Sequence, residues 1–254
     1  MDIDLSIIAN REGPSECNWH GSYFGDTDRH AQTARWDLYS STYERAINGI
    51  SDVDSYGDEF VGKPFILYPD DERLRYVSIG QYHSSSVIIP FGMWFYFMWF
   101  DTRQILKDDS ISNVSLSGWT RNYISSSMPN PITLEVYPFH FKEWDYSLWW
   151  TDDFLPWDIL KYNWIHPDEL TKMPLLASLT FDPSWSDSTW VQRSFVCEDI
   201  FQDYIVREGW TKVFIATDRY RQKIPPILNQ WEIVELSTPV ASGTPPKETI
   251  LTVT

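Results

Sequence analysis

Residues 87–100, V-I-I-P-F-G-M-W-F-Y-F-M-W-F, form a fourteen-residue run with no charge. A run this apolar must be buried, and its length limits how. It falls short of the roughly 20 residues a helix needs to cross a bilayer, and Pro90 and Gly92 interrupt it. Proline cannot donate into a strand ladder and glycine tolerates a bulge, so the run reads as two buried strand pieces, 87–89 and 93–100, bent between them. With 14 Trp, 14 Tyr and 14 Phe in 254 residues, the chain has far too much apolar surface to stay unfolded in water, and this run is its expected core.

The neighbouring segments read mostly as short strands. Residues 65–68 and 75–81 are separated by the turn-like P-D-D-E-R and are expected to form a hairpin. Residues 134–141 alternate, 231–236 read as a strand, and the closing E-T-I-L-T-V-T is rich in β-branched residues. Helices are expected over 28–48, where Trp36, Tyr39, Tyr43, Ala46 and Ile47 recur at helical spacing before Gly49, and over 154–162. A third is expected from His166, where Pro167 suits the first turn, Asp168 and Glu169 face the dipole, and Pro174 ends or kinks the helix. The fold class is therefore α+β: a mostly antiparallel sheet with a few packed helices and an aromatic-rich core. It is expected as a single domain over 1–254; a division into two lobes, if there is one, falls at 125–131, S-S-S-M-P-N-P.

Residues 194–216 describe a strand, an amphipathic helix, a stop and a second strand. Ile200, Phe201, Tyr204 and Ile205 make one apolar stripe, Glu198 and Asp199 occupy the first turn, and Gly209 is placed to take a left-handed C′ position. The pattern S-F-V-C-E-D-I-F-Q-D-Y-I-V-R-E-G-W-T-K-V-F resembles the C-terminal unit of a family of bacterial immunity proteins from polymorphic toxin systems. In that family a strand ending in Phe-Val-Ser-Glu or similar leads into a helix, a Gly and a strand; Cys197 stands here where Ser is commoner. The resemblance is confined to this unit. It implies a noncatalytic protein that occludes the active site of a cognate toxin.

Charge is compatible with that implication. Twenty Lys and Arg stand against 36 Asp and Glu, a net charge of −16, which disfavours nucleic acid and anionic membranes as partners and allows a basic protein. Residues 1–60 hold twelve carboxylates against four arginines. The expected partner is a basic toxin domain. Its expected contacts are Asp52, Asp54, Asp58, Glu59, Asp70, Asp71, Glu72, Asp152 and Asp153, the last two set among Trp149, Trp150, Phe154 and Trp157. Two other readings fit the same features: a structural subunit of a capsid, tail or other assembly, and a carbohydrate-binding protein using Trp144, Trp149, Trp150 and Trp157 as platforms.

Catalytic spacing is not found. The paired acids Asp70–Asp71, Asp108–Asp109 and Asp152–Asp153 are adjacent in sequence and read as turn residues, because acid/base work needs carboxylates converging from separate elements. Asp26, Asp28 and His30 alternate as metal ligands can, yet read better as an acidic loop. His20, His30, His83, His140 and His166 share no ligand spacing. There is no G-x-S-x-G, P-loop or G-x-G-x-x-G, so no cofactor is expected. Cys17 and Cys197 lie 180 positions apart; two thiols in a chain whose first residues, M-D-I-D-L-S-I-I, lack a basic n-region point to a cytoplasmic setting. Cys197 could be activated by the start of the helix that follows it.

Overall fold

The computed structural model describes residues 5–8, 18–19, 29–30, 33–48, 66–67, 76–85, 90–122, 131–138, 166–182, 185, 189–237 and 248–254. Its organising element is the apolar run itself, which forms the eleven-residue strand β7 (Phe91–Asp101). One edge of β7 pairs with β4 (Thr33–Ser40) from Thr33↔Met98 to Ser40↔Phe91. The other edge is shared. Phe91 to Trp94 pair with β6 (Tyr76–His83), and Tyr96 to Asp101 pair with β13 (Trp210–Thr217).

From that shared edge two antiparallel arms leave and meet again. On one arm β6 pairs with β14 (Gln230–Ser237), which pairs with β8 (Val114–Asn122). On the other, β13 pairs with β9 (Ile132–Pro138), which pairs with β10 (Ala177–Phe181). Residues 191–197 join the two arms. Their first part, β11 (Val191–Ser194), lies on β8, and the Phe195 amide donates to the Leu116 carbonyl at 2.8 Å. Their last part, β12 (Val196–Cys197), pairs with β10, and the Glu198 amide donates to the Leu176 carbonyl at 2.9 Å. The strands therefore form a closed, barrel-like circuit, which leaves few ladder groups unpaired at edges. β15 (Ile250–Val253) extends β8 on the same sheet and carries β1 (Leu5–Ile8) beside it. β5 (Ile66–Leu67) lies on β4, and β2 (Asn18–Trp19) and β3 (Arg29–His30) form a separate pair.

Alternation fills the inside of the circuit. Val77, Ile79, Leu116, Leu134, Val136, Val213, Ile215, Val234 and Leu236 belong to one buried cluster, with Tyr96, Met98 and Phe100 of β7 among them. A side chain of this size gains about 1.5–3 kcal/mol on full burial, so a shared interior is what holds the arms face to face. On the outer face Tyr82 stacks on Trp231 at 4.4 Å and meets Trp94 at 5.0 Å, directly over Gly92, where a Cβ would come within 2.0 Å of the Tyr82 ring. Strands from both sides of 125–131 hydrogen-bond into this one sheet.

The antiparallel sheet and its aromatic core agree with the sequence reading, whereas the described helices are all short. Residues 33–40 are strand, not helix; of residues 33–48 only Tyr43–Ile47 is helical, started by Thr42, whose hydroxyl accepts the Arg45 amide at 3.3 Å. Aromatic and β-branched positions in T-A-R-W-D-L-Y-S suit a strand, and eight residue pairs with β7 outweigh the helical spacing. The hairpin between 65–68 and 75–81 does not form: β5 pairs with β4, while β6 has longer partners in β7 and β14. The helix from His166 stops at Leu170, before Pro174, because Ala177–Phe181 is drawn into the sheet. In the 194–216 unit the helix is a six-residue 3-10 helix, Asp199–Tyr204, with no side-chain cap. It has to connect the β10 edge to β13 within a few residues, which leaves no room for more turns. Phe201 and Ile205 are buried and Tyr204 packs on the core, but Ile200 is exposed. The left-handed position belongs to Glu208 (φ 55), not Gly209. The expected strand 87–89, the helix 154–162 and His140 lie outside the described residues.

Candidate functional site

All nine carboxylates expected to meet a partner, Asp52, Asp54, Asp58, Glu59, Asp70, Asp71, Glu72, Asp152 and Asp153, lie outside the described residues, as do Trp144, Trp149, Trp150 and Trp157. The surface must therefore be found from what the described side chains leave uncommitted.

The basic side chains are largely committed to the fold. Arg121 pairs with the buried Glu235 and lies between the rings of Tyr76 and Trp190, 4.8 and 4.7 Å away. Arg193 covers Trp185 at 4.1 Å and donates to the Thr120 hydroxyl at 2.9 Å. Arg221 makes two 2.7 Å bonds to Glu135, which also accepts from the Tyr137 hydroxyl at 2.6 Å. Arg103 chelates Asp101, Lys172 pairs with Glu169 and Lys223 with Asp168. Stacked or bidentate arginines of this kind are poorly available to an outside partner.

Other carboxylates are left over, as is the exposed Lys107 between Leu106 and Asp108. Asp108, Glu198, Asp199, Asp203 and Glu208 are exposed and form no ion pair among the described residues. Interleaved with them are exposed aliphatic side chains: Val196 (69% exposed), Leu106 (54%), Ile200 and Val206. Two segments bring these together. The 3-10 helix and its flanks carry 196–208, and the loop after β7 carries 106–108. They are tied by the Glu208 amide donating to the Ile105 carbonyl at 2.8 Å, the Thr102 hydroxyl to the Val206 carbonyl at 2.6 Å, and Arg207 to the Asp109 carbonyl at 3.3 Å. Asp109 is a turn residue, as expected, accepting the Leu106 amide at 2.8 Å. The result is a surface on which exposed aliphatic side chains lie among acids along 196–208, with 106–108 tied to its C-terminal end, the arrangement found where proteins meet proteins.

The sequence reading buried this unit's whole stripe and so missed the face. The available signal was the surplus of apolar residues: Val196 and Val206 flank the helix outside the stripe, where no burial was demanded of them.

No nucleophile arises here. Burial pushes the Cys197 thiol up, outweighing the help it has from the Leu116 backbone, and the Glu198 carboxylate adds to the rise, so nothing here supports the activation that a helix start can give a thiol. His166 is structural, its Nδ1 accepting the Asp168 amide at 3.1 Å, and the His83 ring stacks on Phe91 at 4.1 Å. Among the described residues no group of three His, Cys, Asp or Glu side chains is placed to hold a metal ion, and no helix is long and apolar enough to cross a membrane. Asp26 and Asp28 lie outside the described residues.

Two carboxylates behind the sheet give the fold a pH dependence of unusual sign. Burial raises Asp218 above the ordinary carboxylate value, against the lowering effect of the Thr133 amide that it accepts at 3.0 Å. Burial likewise raises Glu235, against Arg121. A carboxyl raised on folding contributes stability below its unfolded value, about 3.9 for Asp, and that contribution is lost as pH rises through the folded value. Asp218→Asn keeps an acceptor for Thr133 and removes the ionisation. Its stability relative to the wild type should therefore increase with pH above about 4, read from denaturant midpoints across a pH series. A parallel pair of curves would show that Asp218 does not titrate differently in the fold.

No protein-family model matches this chain, and no curated protein matches it either.

Proposed function

We propose that the chain is a noncatalytic binding protein of the immunity type, which neutralises a basic toxin by covering its active site. The observation that carries the reading is the face at 196–208 and 106–108, where exposed aliphatic side chains sit among carboxylates without ion pairs while the neighbouring arginines are tied into the fold. A basic partner would be steered by the net charge of −16 and then held by desolvated contacts to Val196, Ile200 and Leu106. The same residues carry the resemblance to immunity proteins, and the acids of the N-terminal half would widen the attracting surface. Such a protein acts in the cytoplasm of the cell it protects and needs no cofactor.

The test is inhibition. A basic protein captured from the native host by the purified chain should lose its enzymatic activity when mixed with one equivalent of it. The triple variant Glu198→Lys, Asp199→Lys, Asp203→Lys changes only exposed, unpaired side chains and should bind at least about tenfold more weakly, with the loss concentrated in the association rate. Equal inhibition by the variant, or a captured protein that stays fully active, would contradict the proposal.

A further inference from the structure

At one end of the circuit its apolar inner face turns polar. The β6–β14 register places Gln81 opposite Glu232 and His83 opposite Gln230, on the same side as Ile79, Val234 and Leu236 farther in. Tyr43 and Arg219 close around this four-residue block. Gln81 is 1% exposed and Glu232 3%, and Arg219 Nη2 lies 3.8 Å from Glu232 Oε1, beyond hydrogen-bond distance. Gln81 Nε2 donates to Glu232 Oε2 at 2.8 Å and to the Ile224 carbonyl at 2.7 Å. Four other buried polar atoms have no hydrogen-bond partner: Gln81 Oε1, Gln230 Oε1, Tyr43 Oη and Arg219 Nε. Each such atom is unfavourable when left without a partner, so four at one place are not explained by packing alone.

The segment that covers the block is a short connection between the Asp218–Arg221 helix and β14. After the Asp218–Arg221 helix the chain crosses the mouth through Ile224, Pro225 and Pro226 and returns into β14. Lys223 (φ 57) takes the left-handed position that ends the helix, where its amide donates to the Tyr220 carbonyl at 3.0 Å and the Ile224 amide to the Arg219 carbonyl at 2.9 Å; Asn229 (φ 63) precedes β14, and Ile227 (65% exposed) and Leu228 are exposed at the tip. It meets the mouth through the Ile224 carbonyl on Gln81, a 3.3 Å contact of the Pro226 carbonyl with His83 Nδ1, and Asn229 Oδ1 accepting the Ser85 amide at 3.1 Å.

We propose that residues 222–229 are a lid over a binding site for a neutral polyhydroxylated ligand of monosaccharide size. The atoms left unmade dictate that chemistry. Two amide oxygens require donors, Arg219 Nε requires an acceptor, and the tyrosine hydroxyl takes either; hydroxyl groups supply both from one ligand. The Arg219 and Glu232 charges lie side by side and cancel, so neither an anion nor a cation is favoured. The ring of Phe91, stacked on His83 and 5.9 Å from Tyr43, offers an apolar wall to the C–H face of a sugar. With the lid down the site is closed; a ligand enters by exchanging the Gln81–Ile224 and His83–Pro226 contacts for its own.

The experiment is an NMR titration of the full chain with glucose, galactose, mannose and N-acetylglucosamine in turn, following the side-chain amides of Gln81 and Gln230. At least one sugar should shift both amides saturably, and Gln230→Ala and the isosteric Glu232→Gln should each weaken it about tenfold, the equivalent of roughly 1.4 kcal/mol. Gln230 is at the rim and half-buried, so the first variant remains informative if the second fails to fold. Absence of saturable shifts with every sugar, or unchanged affinity in the folded variants, would overturn the proposal. Neither outcome bears on toxin inhibition through the 196–208 face.

Discussion

Gly80→Ala is expected to abolish the native fold or to destabilise it by more than about 3 kcal/mol, which is exceptional for the loss or gain of one methyl group. Gly80 lies within β6 at φ 140, a conformation that L side chains rarely adopt, and a Cβ there would come within 2.0 Å of the Glu232 carbonyl oxygen. That oxygen is backbone, so nothing short of displacing β14 relieves the clash. The displacement would break the eight-pair register between Tyr76–His83 and Gln230–Ser237, which joins one arm of the circuit to β7. Denaturant unfolding with near-ultraviolet dichroism checks this, because the Tyr82, Trp94 and Trp231 stack straddles the same strands. A variant within about 1 kcal/mol of the wild type would mean that β6 and β14 are not paired as described.

Arg221→Ala should cost about 2–3 kcal/mol, most of it from what remains behind. Glu135 is 5% exposed and receives two bonds from Arg221 and one from Tyr137. Removing the guanidinium leaves a buried carboxylate with a single donor, and an unpaired buried charge is penalised far more than the intact pair is favourable. Burial, and then its bond to Glu135, hold the Tyr137 hydroxyl well above its ordinary value, against the lowering effect of Arg221. Combining Arg221→Ala with Glu135→Gln should recover a large part of the loss. If the double variant were as unstable as the sum of the two single ones, the pair would not be coupled.

What could be read from the sequence follows from how local each feature is. The strands at 76–83, 132–138, 230–237 and 250–253 were visible because alternation or β-branching marks them without reference to a partner. Residues 33–40 satisfied two periods at once, and β7 decided between them. Closure of the circuit at 191–197 could not be read, since it depends on Ser194 meeting Ser117 and Cys197 meeting Ala177, pairings that leave no mark in either segment. The 196–208 face was hidden for a related reason: a short 3-10 helix rotates Ile200 outward where an α-helix would have buried it. The polar mouth did leave a trace. Q-Y-H at 81–83 and Q-W-E at 230–232 both place polar residues where the inner face should be apolar, and only the register brings the two together.

The binding reading stands or falls on where a partner sits. Hydrogen exchange of the chain, alone and with a basic protein of the kind the proposed function requires, measures this directly. Protection gained on binding should concentrate in 198–208 and 105–109, the exposed backbone that carries Ile200, Val206, Leu106 and the unpaired carboxylates. Unchanged exchange in both segments, with protection gained elsewhere on the surface, would contradict the account.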